Sequence, residues 1–446
     1  MPPLDSSAVQ PAYIFGIPLV FNLDQVLRYV QDGVGANPQA PFNTFSHARN
    51  LAGPADTFVS INNDTLYSMA QLDLSVGPLL LSVPDTAGRY YVLQFVDAWT
   101  NNFAYVGHRA TGTGAATFLI VPHGWSGQTP PGTTVITAPT RIVSIVGRWA
   151  CAGPDDLSAV HQIQDATLLE QLESEAIPRG IPVPDAAVPE ELLFLEKLRL
   201  WSQEFPPADR DATALAGFAP LGITQSGSSP YVGLDGALVA EVASALAGAQ
   251  NTLAEFLRTG QALTATGWGL ANHAFDYNVD FFEVGTLNEP LYTSMNPLQR
   301  PALRAAAALA GLWGNHAYEA AYATIYVDAD GEQLVGSNNY VLHFDPAPPV
   351  GAFWSLTMYS VPEFFLVDNS ARRYSIGDRT SGLISNADGS IDIYLGAEEP
   401  IDPARRANWL PAPEGDFRPL LRMYEPDVSI INGSYPLPAV HRFEEK

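Results

Sequence analysis

The chain has 446 residues, of which 47% are hydrophobic and only 15% charged, yet its net charge is −25 and its pI is near 4.5. Lysine occurs only as Lys197 and Lys446, and arginine supplies the remaining positive charge. Such a chain repels nucleic-acid phosphates and anionic membranes, so DNA, RNA and acidic lipid are excluded as partners.

The single cysteine, Cys151, rules out an intrachain disulfide and a cysteine-built metal cluster. Its apolar setting, "GRWACAG", reads as a buried thiol. The first residues, "MPPLDSSAVQ", have neither the basic nor the apolar region of a signal peptide, and no apolar run approaches the ~18 residues that span a bilayer. A cytoplasmic location is expected. Length alone suggests two or three domains.

Residues 1–55 read as a helical lead-in, with a helix over 9–32 interrupted at Gly16 and Pro18. Residues 56–153 turn to β texture. "LLLSV", "RYYVLQFVDAW", "ATFLIV", "TTVITA" and "RIVSIVGRW" are short β-branched or aromatic runs separated by turn signals. Residues 154–332 read as mainly helical, with segments opening at "DDLSAVHQ", "PEELLFLEK", "DGALVAEV" and "RPALRAAAALAGLWGNHAYEAAYATIY". Residues 333–446 return to strands, among them "NYVLHF", "FWSLTMYS", "SIDIYL" and "PLLRMY".

The two β regions share an order of motifs. "GRYYVLQF" at 88–95 matches "GAFWSLTM" at 351–358, and "GHRATG" at 107–112 matches "GDRTSG" at 377–382. This predicts an internal duplication. The fold class expected is α+β and multi-domain: two jelly-roll-like antiparallel β-sandwiches with a helical insertion.

With "FSHAR", "NNDTLYSMAQLDLSVGP", "PPVGAFWSLTMYS", "RRYSIGDRTSGL" and "LRMYEP" in this order, the sequence resembles proteins that join two domains of unknown function. Family 1254 lies on the N-terminal side and family 1214 on the C-terminal side. The resemblance implies β-sandwiches with an added helical part and carries no activity with it. Residues 261–298 depart from the family pattern, which marks them as a place where substrate preference varies.

Four groups of residues are candidates for chemistry. The first is His47, Arg49, Asn63, Asp64 and Tyr67, which offers proton carriers in His47, Asp64 and Tyr67 and a cation in Arg49. The same residues suit a loop-to-strand junction in which Arg49 neutralises Asp64. The second is Asp97, Trp99, Asn101 and Asn102 at the end of a buried strand, equally readable as a loop held by Asx turns. The third is Asn338, Asn339, Tyr340, Trp354, Thr357 and Tyr359. Alternation there puts Trp354, Leu356 and Met358 on one face and Phe353, Ser355, Thr357 and Tyr359 on the other, the latter expected to face solvent. The fourth is Trp268, Asn272, His273, Asp276 and Tyr277, with His273 and Asp276 spaced to pair on a helix. Arg109 and Arg379 read as turn-tying residues.

No nucleophile elbow, Walker loop or dinucleotide fingerprint is present, and the eight histidines show no ligand spacing. No organic cofactor and no metal site are predicted. The reading that best fits these residues is an enzyme working by acid–base chemistry on a partly apolar small organic molecule. The alternative is a non-catalytic binder of a small molecule or carbohydrate, with Trp125, Trp268 or Trp409 as stacking platforms. Homo-oligomerisation is left open. In the duplication, "INNDTLY" at 61–67 finds its expected counterpart in "SNNYVLHF", which keeps the asparagines and lacks Asp-Thr.

Overall fold

The computed structural model describes residues 4–56, 60–172, 176–259, 263–293 and 295–444. The ends of two expected helical segments, 173–175 and 260, lie outside the described residues.

Among the described residues, eighteen strands build four sheets. The first nine are β1 (Phe45–His47), β2 (Thr65–Asp73), β3 (Leu79–Val83), β4 (Tyr91–Asp97), β5 (Asn102–Gly107), β6 (Ala116–Pro122), β7 (Thr133–Ala138), β8 (Ile142–Ala150) and β9 (Leu168–Gln171). The second nine are β10 (Trp268–Leu270), β11 (Ala320–Ile325), β12 (Asn339–Phe344), β13 (Val350–Ser360), β14 (Ser375–Gly377), β15 (Ile391–Gly396), β16 (Trp409–Pro411), β17 (Phe417–Pro426) and β18 (Val440–Phe443).

The order β1-β2-β8-β4-β5 recurs as β10-β11-β17-β13-β14, and β7-β6-β3-β9 recurs as β16-β15-β12-β18. Each strand therefore repeats nine strands later in the same place. Even the one parallel pair of each copy repeats, β6 with β7 and β15 with β16. The duplication thus spans both complete sandwiches, and the parallel pairs depart from an all-antiparallel roll.

Alternation along the strands explains each core. In the first copy Leu66, Leu81, Phe95, Phe118, Ile145 and Trp149 fill the space between its two sheets. In the second, Leu342, Trp354, Leu356, Ile393, Leu421 and Met423 do so. The outer face of each five-stranded sheet is left to find other cover.

For the first copy, helices supply part of that cover. Val9–Gln31, Leu193–Glu204, Gly236–Thr259 and Arg300–Gly311 share a core with Met69, Val96 and Val146. The remaining part packs on the second copy, through Tyr90, Val92 and Ala150 against Ala320, Phe353 and Tyr424.

Several elements differ from the sequence expectation. The helix Val9–Gln31 runs unbroken through Pro18, and Gly16 is a packing position. A Cβ there would lie 2.7 Å from the Leu198 side chain of the crossing helix. The expected helix past "DDLSAVHQ" stops at Ala166, and Leu168–Gln171 pairs with β3. The alanine-rich run at 300–326 is helical only over Arg300–Gly311, and its second part is β11. Pairing with β17 overrides alanine's helix preference there. The strands consequently extend beyond 56–153 and 333–446, since β1, β9, β10 and β11 fall outside those bounds.

Candidate functional site

The repeat places two Tyr–Arg pairs on facing sheets. In the first copy Tyr67, Arg148 and Val92 stand side by side across β2, β8 and β4. In the second, Tyr322, Arg422 and Ser355 hold the matching positions across β11, β17 and β13. Both pairs point away from their own sandwich core, toward the zone where the two copies and the helices meet.

Hydrogen bonds repeat with the strands. Arg148 donates to Gln94 Oε1 at 2.8 Å and to the Trp313 carbonyl at 2.9 Å. Arg422 donates to Thr357 Oγ1 at 2.9 Å and to the Ser60 carbonyl at 2.8 Å. Gln94 and Thr357 are matching positions in β4 and β13. Arg148 also reaches Asn315 Oδ1 at 3.3 Å and Tyr67 Oη at 3.4 Å, with its guanidinium 5.3 Å from the Tyr67 ring centre. Arg422 also donates to Tyr359 Oη at 2.9 Å.

Most of this zone is sealed: Arg148, Arg422, Asn315, Gln94 and Tyr424 are all buried. Tyr67, Tyr322 and Tyr29 are only half-buried in their midst. The open part of these three rings lies among sealed neighbours, and we call the zone around them the recess. Tyr29 stacks at a tilt on Trp313, with ring centres 5.4 Å apart. Burial pushes the phenols of Tyr29, Tyr322 and Tyr424 upward, so all three stay protonated at neutral pH. Burial opposes the charge on Arg148, which nonetheless stays protonated at neutral pH as a guanidinium does in proteins. Two polar atoms on this side lack a well-formed hydrogen bond, Asn315 Nδ2 and Thr65 Oγ1.

Asp64 lies at the edge of this zone. It is buried, and its Oδ2 accepts from Ser355 Oγ of the second copy at 2.5 Å. Its topological counterpart is Glu319, one residue before β11, because Tyr67 and Tyr322 occupy matching rows. The stretch "SNNYVLHF" instead belongs to β12, the counterpart of β3, so the expected match with "INNDTLY" is corrected. The glycine motifs also meet across the interface. Arg109 Nε donates to Glu319 Oε2 at 2.6 Å, and Arg379 donates to the Asp64 carbonyl at 3.2 Å.

The other expected residues are placed elsewhere. His47 pairs with Ser68, on the face of β2 opposite Tyr67, with Nδ1 2.7 Å from Ser68 Oγ. Burial and the nearby Arg49 depress its pKa to about 4. Arg49 neutralises Asp165 and does not reach Asp64 with an ion pair. Asn63 bonds the Ala52 carbonyl at 2.5 Å and accepts from Ser375 at 3.3 Å.

Asp97 closes an Asx turn onto the backbone of Trp99 and Asn101, at 2.9 and 2.8 Å. Trp99 donates to the Phe205 carbonyl at 2.7 Å, and Asn101 accepts from Arg304 at 3.2 Å. Asn102 serves Gln94 and the Gly314 carbonyl.

Trp268 is buried and donates to the Pro438 carbonyl at 2.7 Å. Trp409 is likewise buried, donating to Gly396. Neither presents a free face for stacking. His273 pairs with Asp276 at 2.6 Å, in a run of turns where a helix was expected. Tyr277 donates to the Thr100 carbonyl at 2.9 Å, and Asn272 to the Ile430 carbonyl at 2.6 Å. Tyr340 and Trp354 sit inside the second sandwich core.

Ser355, Thr357 and Tyr359, expected at the surface, are buried against the first copy. Their face of the sheet is polar because the loop ahead of β2 covers it: Ser355 bonds Asp64 and Tyr359 the Ile61 carbonyl, while Thr357 accepts from Arg422 of its own sheet. The residues missed by sequence reading are Arg148, Arg422, Tyr322, Asn315 and Tyr29. Arg148 and Arg422 each carried a signal: an arginine inside an otherwise apolar strand, "SIVGRW" and "PLLRMY".

Among the described residues, no group of three or more His, Cys, Asp or Glu converges as a metal ion requires. Nor is any helix long and apolar enough to cross a membrane.

The fold and site define a tandem β-sandwich protein whose two copies bring matched tyrosine–arginine pairs together on their facing sheets. Residues 42–171 match the family model described as a protein of unknown function (DUF1254), and residues 319–428 match that of DUF1214, also of unknown function. The chain thus joins one domain of each family in the order its motifs resemble. The crystal structure of the VPA0106 protein from Vibrio parahaemolyticus shares the fold, with a TM-score of 0.74 and 24% identity over 98% of this chain and 100% of that one. A putative uncharacterized protein from Burkholderia cenocepacia gives a TM-score of 0.43 at 13% identity, over 96% of this chain and 88% of that one. Comparison with curated proteins finds no match.

Proposed function

We propose that the protein is a cofactor-independent enzyme acting by acid–base chemistry on a partly apolar small organic molecule held in the recess. The reactions that suit these groups are hydrolysis, elimination and cyclisation. The observation that carries this reading is the pair of half-buried phenols, Tyr67 and Tyr322, beside the fixed charge of Arg148. Tyr29 and Trp313 supply apolar wall. Phenols donate or accept a proton, and a buried guanidinium stabilises negative charge developing on the ligand.

The proton carriers of this reading are Tyr67, Tyr322 and Asp64. His47 plays no part in it, since it lies on the other face of β2. The test is turnover of a verified substrate by Tyr67→Phe and Asp64→Asn. Loss of kcat in Tyr67→Phe with little change in KM supports the reading. Full turnover by both variants defeats the acid–base assignment.

A second reading, a non-catalytic small-molecule binder, is favoured by the engagement of Asp64 with Ser355. It predicts saturable binding in the recess with no product formed.

A further inference from the structure

The two Tyr–Arg pairs match in geometry but differ in charge balance. Arg422 has the Asp64 carboxylate in its vicinity, and that charge helps hold it protonated. Arg148 has no such internal partner. The oxygens that accept from it belong to Gln94, Asn315, Trp313 and Tyr67, all neutral groups, and no carboxylate forms an ion pair with it among the described residues. A buried guanidinium without a counter-charge is costly.

The atoms around Arg148 that still have hydrogen-bonding capacity include several donors. Asn315 is 1% exposed, its Oδ1 faces Arg148, and its amide lies beside the Tyr322 phenol, with no well-formed bond from Nδ2. Tyr67 and Tyr322 bring hydroxyls to the same space, and Tyr322 stands between the two arginines in the field of both. Donors and a lone positive charge converging on one zone call for an acceptor that carries negative charge.

On the reading of the recess as a ligand site, we infer that the ligand is an organic anion whose carboxylate or enolate oxygen sits against Arg148 and Asn315, between the phenols of Tyr67 and Tyr322. Its apolar body lies toward Tyr29 and Trp313. The Arg422–Asp64 side takes an uncharged part of the molecule, because that side is already balanced.

The test is calorimetric titration of the full chain with benzoate, phenylacetate and cinnamate, each against its neutral amide. At least one carboxylate is expected to bind ten-fold or more tightly than its amide. Arg148→Gln is expected to weaken carboxylate binding ten-fold or more beyond its effect on the amide, and so to remove that preference, and Arg148→Lys to restore part of it. Circular dichroism checks that both variants fold. Should the amides bind as well as the acids, and Asn315→Ala or Tyr67→Phe weaken them, the anion inference falls while the recess remains a ligand site. Retention of carboxylate affinity by Arg148→Gln also overturns the inference. If no member of the panel binds, both the inference and the reading beneath it fail.

Discussion

Asp64 and Glu319 hold the same position in two copies of one strand, yet each carboxylate is spent on the opposite copy in a different way. Asp64 takes a hydroxyl from Ser355 at 2.5 Å. Glu319 takes Arg109 at 2.6 Å and the Tyr90 hydroxyl at 3.0 Å. The Ser355 position is Val92 in the first copy, and the Tyr90 position is Phe353 in the second. Each acid therefore has a partner where its counterpart would meet only carbon.

The Arg109–Glu319 pair ties the two sandwiches together. Arg109 also donates to the Gly285 carbonyl at 2.6 Å and lies 4.7 Å from the Tyr318 ring centre. Arg109→Ala strands the buried Glu319 and is expected to cost about 3 kcal/mol in urea unfolding. Glu319→Gln keeps an acceptor oxygen for one of the two donors and removes the buried charge, and it should cost less. Equal losses would mean that the charge, and not the bond geometry, holds the interface.

Asp64→Ala leaves Ser355 without its acceptor and removes the carboxylate near Arg422. A loss of about 2 kcal/mol is expected. Asp64→Asn keeps an acceptor for Ser355 and should lose roughly half as much. Thermal melts of the two variants and of Ser355→Ala compare these directly.

Acid should weaken the fold through His316. Its Nδ1 lies 2.9 Å from the hydroxyls of Tyr105 and Tyr318, and burial, with Arg109 nearby, lowers its pKa from 6.5 to about 3. The unfolded chain takes up this proton below pH 6.5 and the folded chain does not. Stability from the neutral ring is therefore complete above pH 6.5 and lost as pH falls toward 3. A decline of about 3 kcal/mol from this residue is expected between pH 6.5 and 4. His47, lowered to about 4, adds in the same direction. Urea midpoints measured against pH should show a shallower slope for His316→Gln.

Gly107 and Gly377 are equivalent, lying opposite Val92 and Ser355 in their ladders. A Cβ on Gly107 would collide with the Tyr91 carbonyl, and one on Gly377 with the Trp354 carbonyl. Alanine at either site should destabilise by about 2 kcal/mol or force the edge strand off its neighbour. Loss of amide protection confined to β5 or β14 would reveal the second outcome.

Much of the β architecture was legible because its strands alternate and its turns are marked. The paired "GRYYVLQF" and "GAFWSLTM", followed in the same order by "GHRATG" and "GDRTSG", exposed the duplication. The first strands of the second copy were hidden, since β11 is rich in alanine and follows a real helix without a break in composition. Of the residues expected to form the site, Asp97 closes a local turn, while Asn63 reaches to Ala52 and Ser375. The arginines and two of the tyrosines of the recess come from strand interiors, with Tyr29 added by a helix and Trp313 and Asn315 by a connection. Arg148 and Tyr322 come together only through the packing of two sheets whose sequences lie far apart. Polarity on Ser355, Thr357 and Tyr359 pointed to solvent, when its cause was the loop ahead of β2 and Arg422 of the same sheet.

Had the two sandwiches been separate identical chains, a twofold axis would oblige every change in one half of the recess to appear in the other. Joined in one polypeptide, the halves are free to diverge. One arginine has kept a carboxylate in its vicinity while its twin has none, a polarity that a symmetric dimer of a single sandwich could not build. The zone therefore has a direction, with a balanced end at Arg422 and an unbalanced one at Arg148, where the repeat alone would have offered two equal ends.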